Sequence, residues 1–208
     1  MARSKSSGSW LRRHVTDPYV QLAQKEGYRS RSAYKLIELN EKDRLLRPGM
    51  WVMDLGSAPG GWSQVAARAV GAKGRVLATD ILAMDPIAKV DFIQGDFTSD
   101  EVVEKIMAWL GDEKFDVIVS DIAPNLSGID VADQARSIYF LELALDTVRL
   151  ALKPGASFIA KMFQGQGSDE YLKELRKSFQ KVSIRKPKAS RPESREVYIV
   201  SKDYKGSS

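Results

Sequence analysis

Residues 54–63 read D-L-G-S-A-P-G-G-W-S, directly after the apolar run W-V-M-D-L. The glycines permit positive φ and let a ligand approach the backbone. At the carboxyl end of a strand, such a loop can seat a nucleotide, a phosphate or another cofactor, or can be a plain strand-to-helix turn. Spacing weakens both phosphate readings. The dinucleotide fingerprint G-x-G-x-x-G needs glycine at 56, 58 and 61, but Ala58 and Pro59 occupy its middle; a Walker loop needs G-K-[ST], and this one ends G-G-W-S. Acids follow at three later positions. Asp80 closes R-V-L-A-T-D, about twenty residues on, where a carboxylate accepts both hydroxyls of a ribose. Asp96 in G-D-F is placed to accept from an exocyclic amine, and Asp121 ends F-D-V-I-V-S-D at the same edge. Singly, each is an ordinary cap or turn residue. With the loop, the set fits a cofactor bearing amino groups and a cationic sulfur, S-adenosylmethionine. Lys161 lies inside the apolar run F-I-A-K-M-F. An ammonium there either serves chemistry or snorkels from the strand's exposed end.

These residues need a scaffold that brings strand ends together. Short apolar runs rich in β-branched residues occur at 51–55, 75–80, 90–94, 115–121 and 157–163. Amphipathic helical runs at about 62–70, 99–110, 131–152 and 168–180 separate most of them. This alternation predicts an α/β, Rossmann-like fold with helices on both faces of a mostly parallel sheet. A further helix is expected over 30–46, ended by R-P-G at 47–49. The runs at 182–185 and 196–201 have no room between them for a crossover helix, so they are expected to pair antiparallel.

Composition narrows the function. With no cysteine and only His14, disulfides, thiolate metal sites and a Ser-His-Asp triad are excluded or disfavoured, and no metal is expected. No run is long enough to span a bilayer, no secretory leader is evident, and a cytoplasmic location is expected. The net charge of +5 is unevenly spread. Residues 1–47 hold eleven Lys/Arg against five Asp/Glu, residues 48–172 ten against eighteen, and residues 173–195 nine against two. Two basic flanks around an acidic body suit a polyphosphate backbone. Arg12, Arg13, Arg29, Arg31, Lys186, Lys188, Arg191 and Arg195 are the candidate phosphate contacts. A basic arm over 1–16, a single domain over 17–203 and a tail over 204–208 are expected. Basic faces suit RNA better than a second copy, so the chain is expected to be a monomer.

The motifs R-S-R-S-A-Y-K-L, D-L-G-S-A-P-G-G-W-S, V-S-D-I-A-P-N, F-I-A-K-M-F and S-R-E-V-Y-I-V occur in this order. Together they resemble the FtsJ-type (RrmJ-like) ribosomal RNA 2′-O-methyltransferases. The resemblance runs from about residue 10 to residue 202. It implies a seven-stranded methyltransferase sheet with a reversed last strand and a Lys-Asp-Lys-Glu catalytic set on Lys35, Asp121, Lys161 and Glu196. It implies cofactor contacts at Gly60, Trp62, Asp80, Asp96 and Asp121, and as substrate a uridine of 23S rRNA in the large subunit's A loop. Lys161 then has two available roles: general base, or charged group that orients the hydroxyl. Tyr34 and Tyr198, beside Lys35 and Glu196, could stack on bases near the target, with ordinary core or surface packing the favoured reading for each. Competing readings are a non-catalytic RNA-binding protein on the same sheet, a nicotinamide dehydrogenase and a base methyltransferase. The intact Lys-Asp-Lys-Glu set disfavours the first, and Ala58-Pro59 and the basic flanks disfavour the second. The third would need an N-P-P-Y-like motif, which Asp121-Ile122-Ala123-Pro124 is not.

Overall fold

The computed structural model describes residues 16–123 and 130–206. Its seven strands are β1 (Trp51–Leu55), β2 (Arg75–Asp80), β3 (Val90–Gln94), β4 (Phe115–Ser120), β5 (Leu152–Phe163), β6 (Phe179–Arg185) and β7 (Glu196–Tyr204). Among the described residues six α-helices accompany them: α1 (Pro18–Glu26), α2 (Ala33–Asp43), α3 (Gly61–Val70), α4 (Asp100–Leu110), α5 (Asp130–Ala151) and α6 (Ser168–Ser178). The strands form one sheet in the order β3-β2-β1-β4-β5-β7-β6. β7 runs antiparallel to both its neighbours, and the β1–β2, β1–β4, β2–β3 and β4–β5 pairs are parallel.

Alternation along the central strands feeds two cores. Met53, Leu77 and Ile118 face α4, α5 and α6, whereas Val52, Val76, Val117 and Val119 face α2 and α3. Both faces are therefore covered, as continuous apolar strands require. The chain builds outward from β1 to β3, then returns to β4 on the other side of β1. That reversal opens a crevice at the carboxyl ends of β1 and β4, where α/β sheets hold ligands. Because β7 is reversed, its first residues lie at the same edge as the last residues of β5, and Phe163 pairs with Glu196 and Lys161 with Tyr198.

Several boundaries differ from the sequence reading. α1 was not foreseen; the Asp17 side chain caps it by accepting from the Tyr19 N–H at 3.0 Å, with Pro18 following. α2 ends at Asp43, before R-P-G, with Arg44 left-handed at φ 55°. The Asn40 carboxamide accepts from the Leu45 and Leu46 N–H groups, which turns the chain there. β5 starts earlier than expected, its Leu152 reaching Phe115 across a register shift around Pro154 and Gly155. None of the described helices is long and apolar enough to cross a membrane.

Candidate active site

Lys161 is 8% exposed, and its ammonium has two acceptors on one residue. It donates to the Asp121 carbonyl at 2.7 Å and pairs with Asp121 Oδ1 at 3.0 Å. The Tyr198 hydroxyl donates to the same Oδ1 at 2.6 Å. Lys35, on α2, pairs with Glu196 Oε1 at 2.7 Å, and its ammonium lies 5.5 Å from the centre of the Tyr198 ring. Four charged groups and one phenol thus interlock at the crevice edge. Each depends on the fold: α2 supplies Lys35, the end of β4 Asp121, β5 Lys161, and reversed β7 both Glu196 and Tyr198.

The electrostatics agree with the contacts. Burial alone would raise Glu196, but the Lys35 ammonium beside it, aided by Lys161, holds its carboxyl below the usual glutamate range. Burial and the neighbouring Asp121 and Glu196 charges push the Tyr198 hydroxyl well above the ordinary phenol value. Tyr198 therefore stays protonated and can only donate to Asp121. Full burial places its ring in the core, in agreement with the packing reading over stacking on a base. Tyr34 is also buried, and donates to Glu26 at 2.9 Å between Tyr19 and Tyr28.

Beside this network lies a small cavity lined by Ser32, Asp54, Gly56, Ser57, Ala58, Pro59, Gly61, Trp62 and Asp121. The glycine loop is its wall, and its hydrogen bonding explains why it is no phosphate cradle. The Gly56 and Ser57 N–H groups donate to the Thr79 carbonyl, the Ala58 N–H to Asp80 Oδ2, and the Gly60 N–H to the Ser57 carbonyl. Pro59 has no N–H. The N–H groups of residues 56–58 and 60 are already used, and the charged side chains in the lining are carboxylates. Carboxylates in a lining favour cationic and hydrogen-bond-donating groups over a pyrophosphate.

Asp54 adds a group that sequence reasoning passed over. It is 1% exposed, Oδ2 accepts from Ser63 Oγ at 2.6 Å, and buried Oδ1 has no hydrogen-bond partner. Burial, with the charges of Asp121 and Asp80, pushes Asp54 up to about 7 against the Ser63 hydrogen bond. A buried carboxylate oxygen without a donor, on a residue that lines a cavity, is the feature a cationic ligand would complete. Its signal was present in W-V-M-D-L, as an acid inside an apolar strand.

Of the other expected cofactor residues, Trp62 lines this cavity, whereas Gly60, Asp80 and Asp96 are not in its lining. Trp62 is buried, its Nε1 donates to the Ser32 carbonyl at 2.8 Å, and its ring packs on Tyr198. Any contact it makes with a ligand in the cavity must be through its backbone. Gly60 sits at φ 109°, and a Cβ there would strike Ile87 and Met84, so the segment between β2 and β3 covers it. Asp80 accepts from the Leu82 N–H as well as the Ala58 N–H. One Asp96 oxygen accepts from the Thr98 N–H and hydroxyl.

The candidate phosphate contacts divide. Arg12 and Arg13 lie outside the described residues, as does most of the expected arm. The Arg29 guanidinium is spent on the Pro59, Asp85 and Pro86 carbonyls. Arg31 pairs with Asp17 at 2.8 Å and donates to the Ala189 carbonyl. These two act as clasps in this structure, a role that charge counting in the sequence does not reveal. Lys186, Lys188 and Arg195 are exposed on the connection between β6 and β7, with Arg191 half-buried beside them. Lys186 donates to the Ser194 carbonyl.

Residues 28–204 match the model of the FtsJ-like methyltransferases. The chain is 66% identical to ribosomal RNA large subunit methyltransferase E of Stutzerimonas stutzeri, covering 99% of this chain and all of that protein. The protein of the same name from Pseudomonas aeruginosa is 55% identical over the same shares. A crystal structure from Plasmodium falciparum, described as that of a ribosomal RNA methyltransferase, superposes with a TM-score of 0.79 at 34% identity. It covers 86% of this chain and all of that one.

Proposed function

The chain belongs to the FtsJ-like methyltransferase family, and from that premise we propose that it methylates the ribose 2′-hydroxyl of a uridine in 23S rRNA, in the A loop of the large subunit. The observation that carries this reading is the pairing of Lys161 with Asp121 beside a cavity with no cationic side chain in its lining.

S-adenosylmethionine is the donor that fits, because it supplies an electrophilic methyl on a cationic sulfur. Asp54 and Asp121 would face its charged end. Asp80 and Asp96 would hold its ribose and adenine, and Gly60 and Trp62 would offer backbone contacts. Transfer forms an O–C bond, breaks a C–S bond and releases one proton.

The protein's own residues handle the acceptor. An ammonium has three N–H donors. Two of those on Lys161 are directed at Asp121. The third remains for the attacking oxygen. Lys161 in this reading stays charged, orients the hydroxyl and holds the negative charge that develops as the proton leaves to solvent. Asp121 and Tyr198 fix Lys161, and Lys35 with Glu196 fixes the ribose on the other side. Lys186, Lys188, Arg191 and Arg195 meet phosphates near the target, and the enzyme works as a cytoplasmic monomer.

Mapping 2′-O-methylation of 23S rRNA in cells with and without this protein tests the reading. One A-loop uridine should lose its methyl when the protein is absent. An unchanged map would refute the assignment.

A further inference from the structure

One carboxylate on α2 holds the base of the β6–β7 connection. Glu38 Oε2 accepts from the Lys188 N–H at 2.6 Å, and Oε1 accepts from the Ala189 N–H at 2.9 Å. The Tyr19 hydroxyl donates to Oε1 at 3.4 Å. From the other side Arg31 Nη2 donates to the Ala189 carbonyl at 2.8 Å. Ala189 itself is fully buried against Ala23 and Tyr34. The short stretch 188–189 is thus gripped through two N–H groups, one carbonyl and one methyl. Around this anchor the side chains of Lys186, Lys188 and Arg195 remain exposed.

Glu38 also lies one helical turn from Lys35, whose ammonium pairs with Glu196, the first residue of β7. The same helix therefore holds both the basic connection and the strand that follows it. A connection with four cations repels itself, and left loose it would have to be ordered each time RNA binds. Hydrogen bonds to a carboxylate are roughly twice as strong as neutral ones, so one Glu can remove that cost in advance.

We propose that Glu38 is a positioning residue for RNA: it presets residues 186–195 so that their cations meet phosphates in register with the Lys35–Glu196 pair. This rests on the rRNA reading above. The test measures methyl transfer by the full chain to a transcript of the large-subunit rRNA. Glu38→Gln keeps one acceptor but turns an NH2 group toward the other backbone N–H. Its KM for RNA should rise about 10-fold, with kcat within about 3-fold and affinity for S-adenosylmethionine unchanged. Glu38→Asp, which keeps the carboxylate, should fall between wild type and Glu38→Gln. An unchanged KM for RNA, or a fall in kcat at constant KM, would overturn the proposal. Hydrogen exchange on the wild type gives a check that needs no variant. The Lys188 and Ala189 amides should be protected before RNA is added; rapid exchange there would overturn the proposal as well. Wild-type protein that methylates no rRNA would instead sink the broader reading, whatever these amides do.

Discussion

At the edge formed by β4, β5 and β7, Lys161 has Asp121, Lys35 has Glu196, and the Tyr198 hydroxyl closes on Asp121. At the edge formed by β1 and β2, a few residues away, Asp54 keeps one buried oxygen without a donor, and no cation lines the cavity it meets. The first half is complete in the protein alone. The second half lacks only positive charge. On the proposed reading, the groups that act on a weak nucleophile are fixed in advance, which limits reorganisation during transfer, and the groups that would receive a cationic donor are left to be completed by it.

Breaking the closed half should have the largest effect. Lys161→Ala is expected to lower transfer by about 10²–10³-fold or more, while donor affinity, a property of the other half, changes little. Single-turnover kinetics beside calorimetric donor binding would check both statements. Next in size is the Lys35–Glu196 pair. Lys35→Met leaves a buried carboxylate unpaired and should destabilise the fold by about 3–5 kcal/mol. Adding Glu196→Leu should restore most of that stability in denaturant titrations without restoring transfer. Recovery of both would mean that the pair is structural only.

Tyr198→Phe removes one donor from the closed half and keeps the ring. The lost hydrogen bond to a carboxylate is worth about 1.5–3 kcal/mol of stability, so the melting temperature should fall by several degrees, and transfer should fall by roughly 10-fold as Asp121 loses its second partner.

The open half should respond to pH. Asp54 is raised to about 7, so near neutrality it is part protonated, and a cationic donor favours its ionised form. Donor affinity should therefore rise as pH climbs through about 7, with proton release detectable by calorimetry in buffers of different ionisation heat. Asp54→Asn should weaken donor binding by about 10-fold and flatten that pH dependence. The ligand-free protein should behave oppositely. The folded state keeps a proton that the unfolded chain gives up, so stability should fall as pH rises from the usual carboxylate range to about 7.

Much of this contrast was legible in the residues. The first five strands followed from short β-branched runs, β5 with a later start than the structure gives it, and Asp80, Asp96 and Asp121 could be assigned to strand ends. That the glycine loop departs from the phosphate-binding fingerprints was readable from Ala58-Pro59, and the structure adds that its N–H groups at 56–58 and 60 bond within the protein. Other features depend on distance along the chain and left no local trace. Nothing near Arg29 or Arg31 announces that the carbonyls of residues 59, 85, 86 and 189 will take their guanidinium groups. Tyr198 looked available for stacking because β7 could not be placed between β5 and β6 from sequence. Nothing in the sequence marks Glu38, because its partners at residues 188 and 189 are 150 and 151 positions away. Lys35 and Glu196 entered only through the resemblance, since they are 161 positions apart and meet only when β7 is reversed.

The central claim is that the closed half acts on a ribose hydroxyl. It is tested most directly by incubating the protein with methyl-labelled S-adenosylmethionine and A-loop RNA, digesting the product and locating the label. The account predicts label in 2′-O-methyluridine at one position, and none when that nucleotide is replaced by its 2′-deoxy analogue. Label on a base, or label retained on the deoxy substrate, would contradict it.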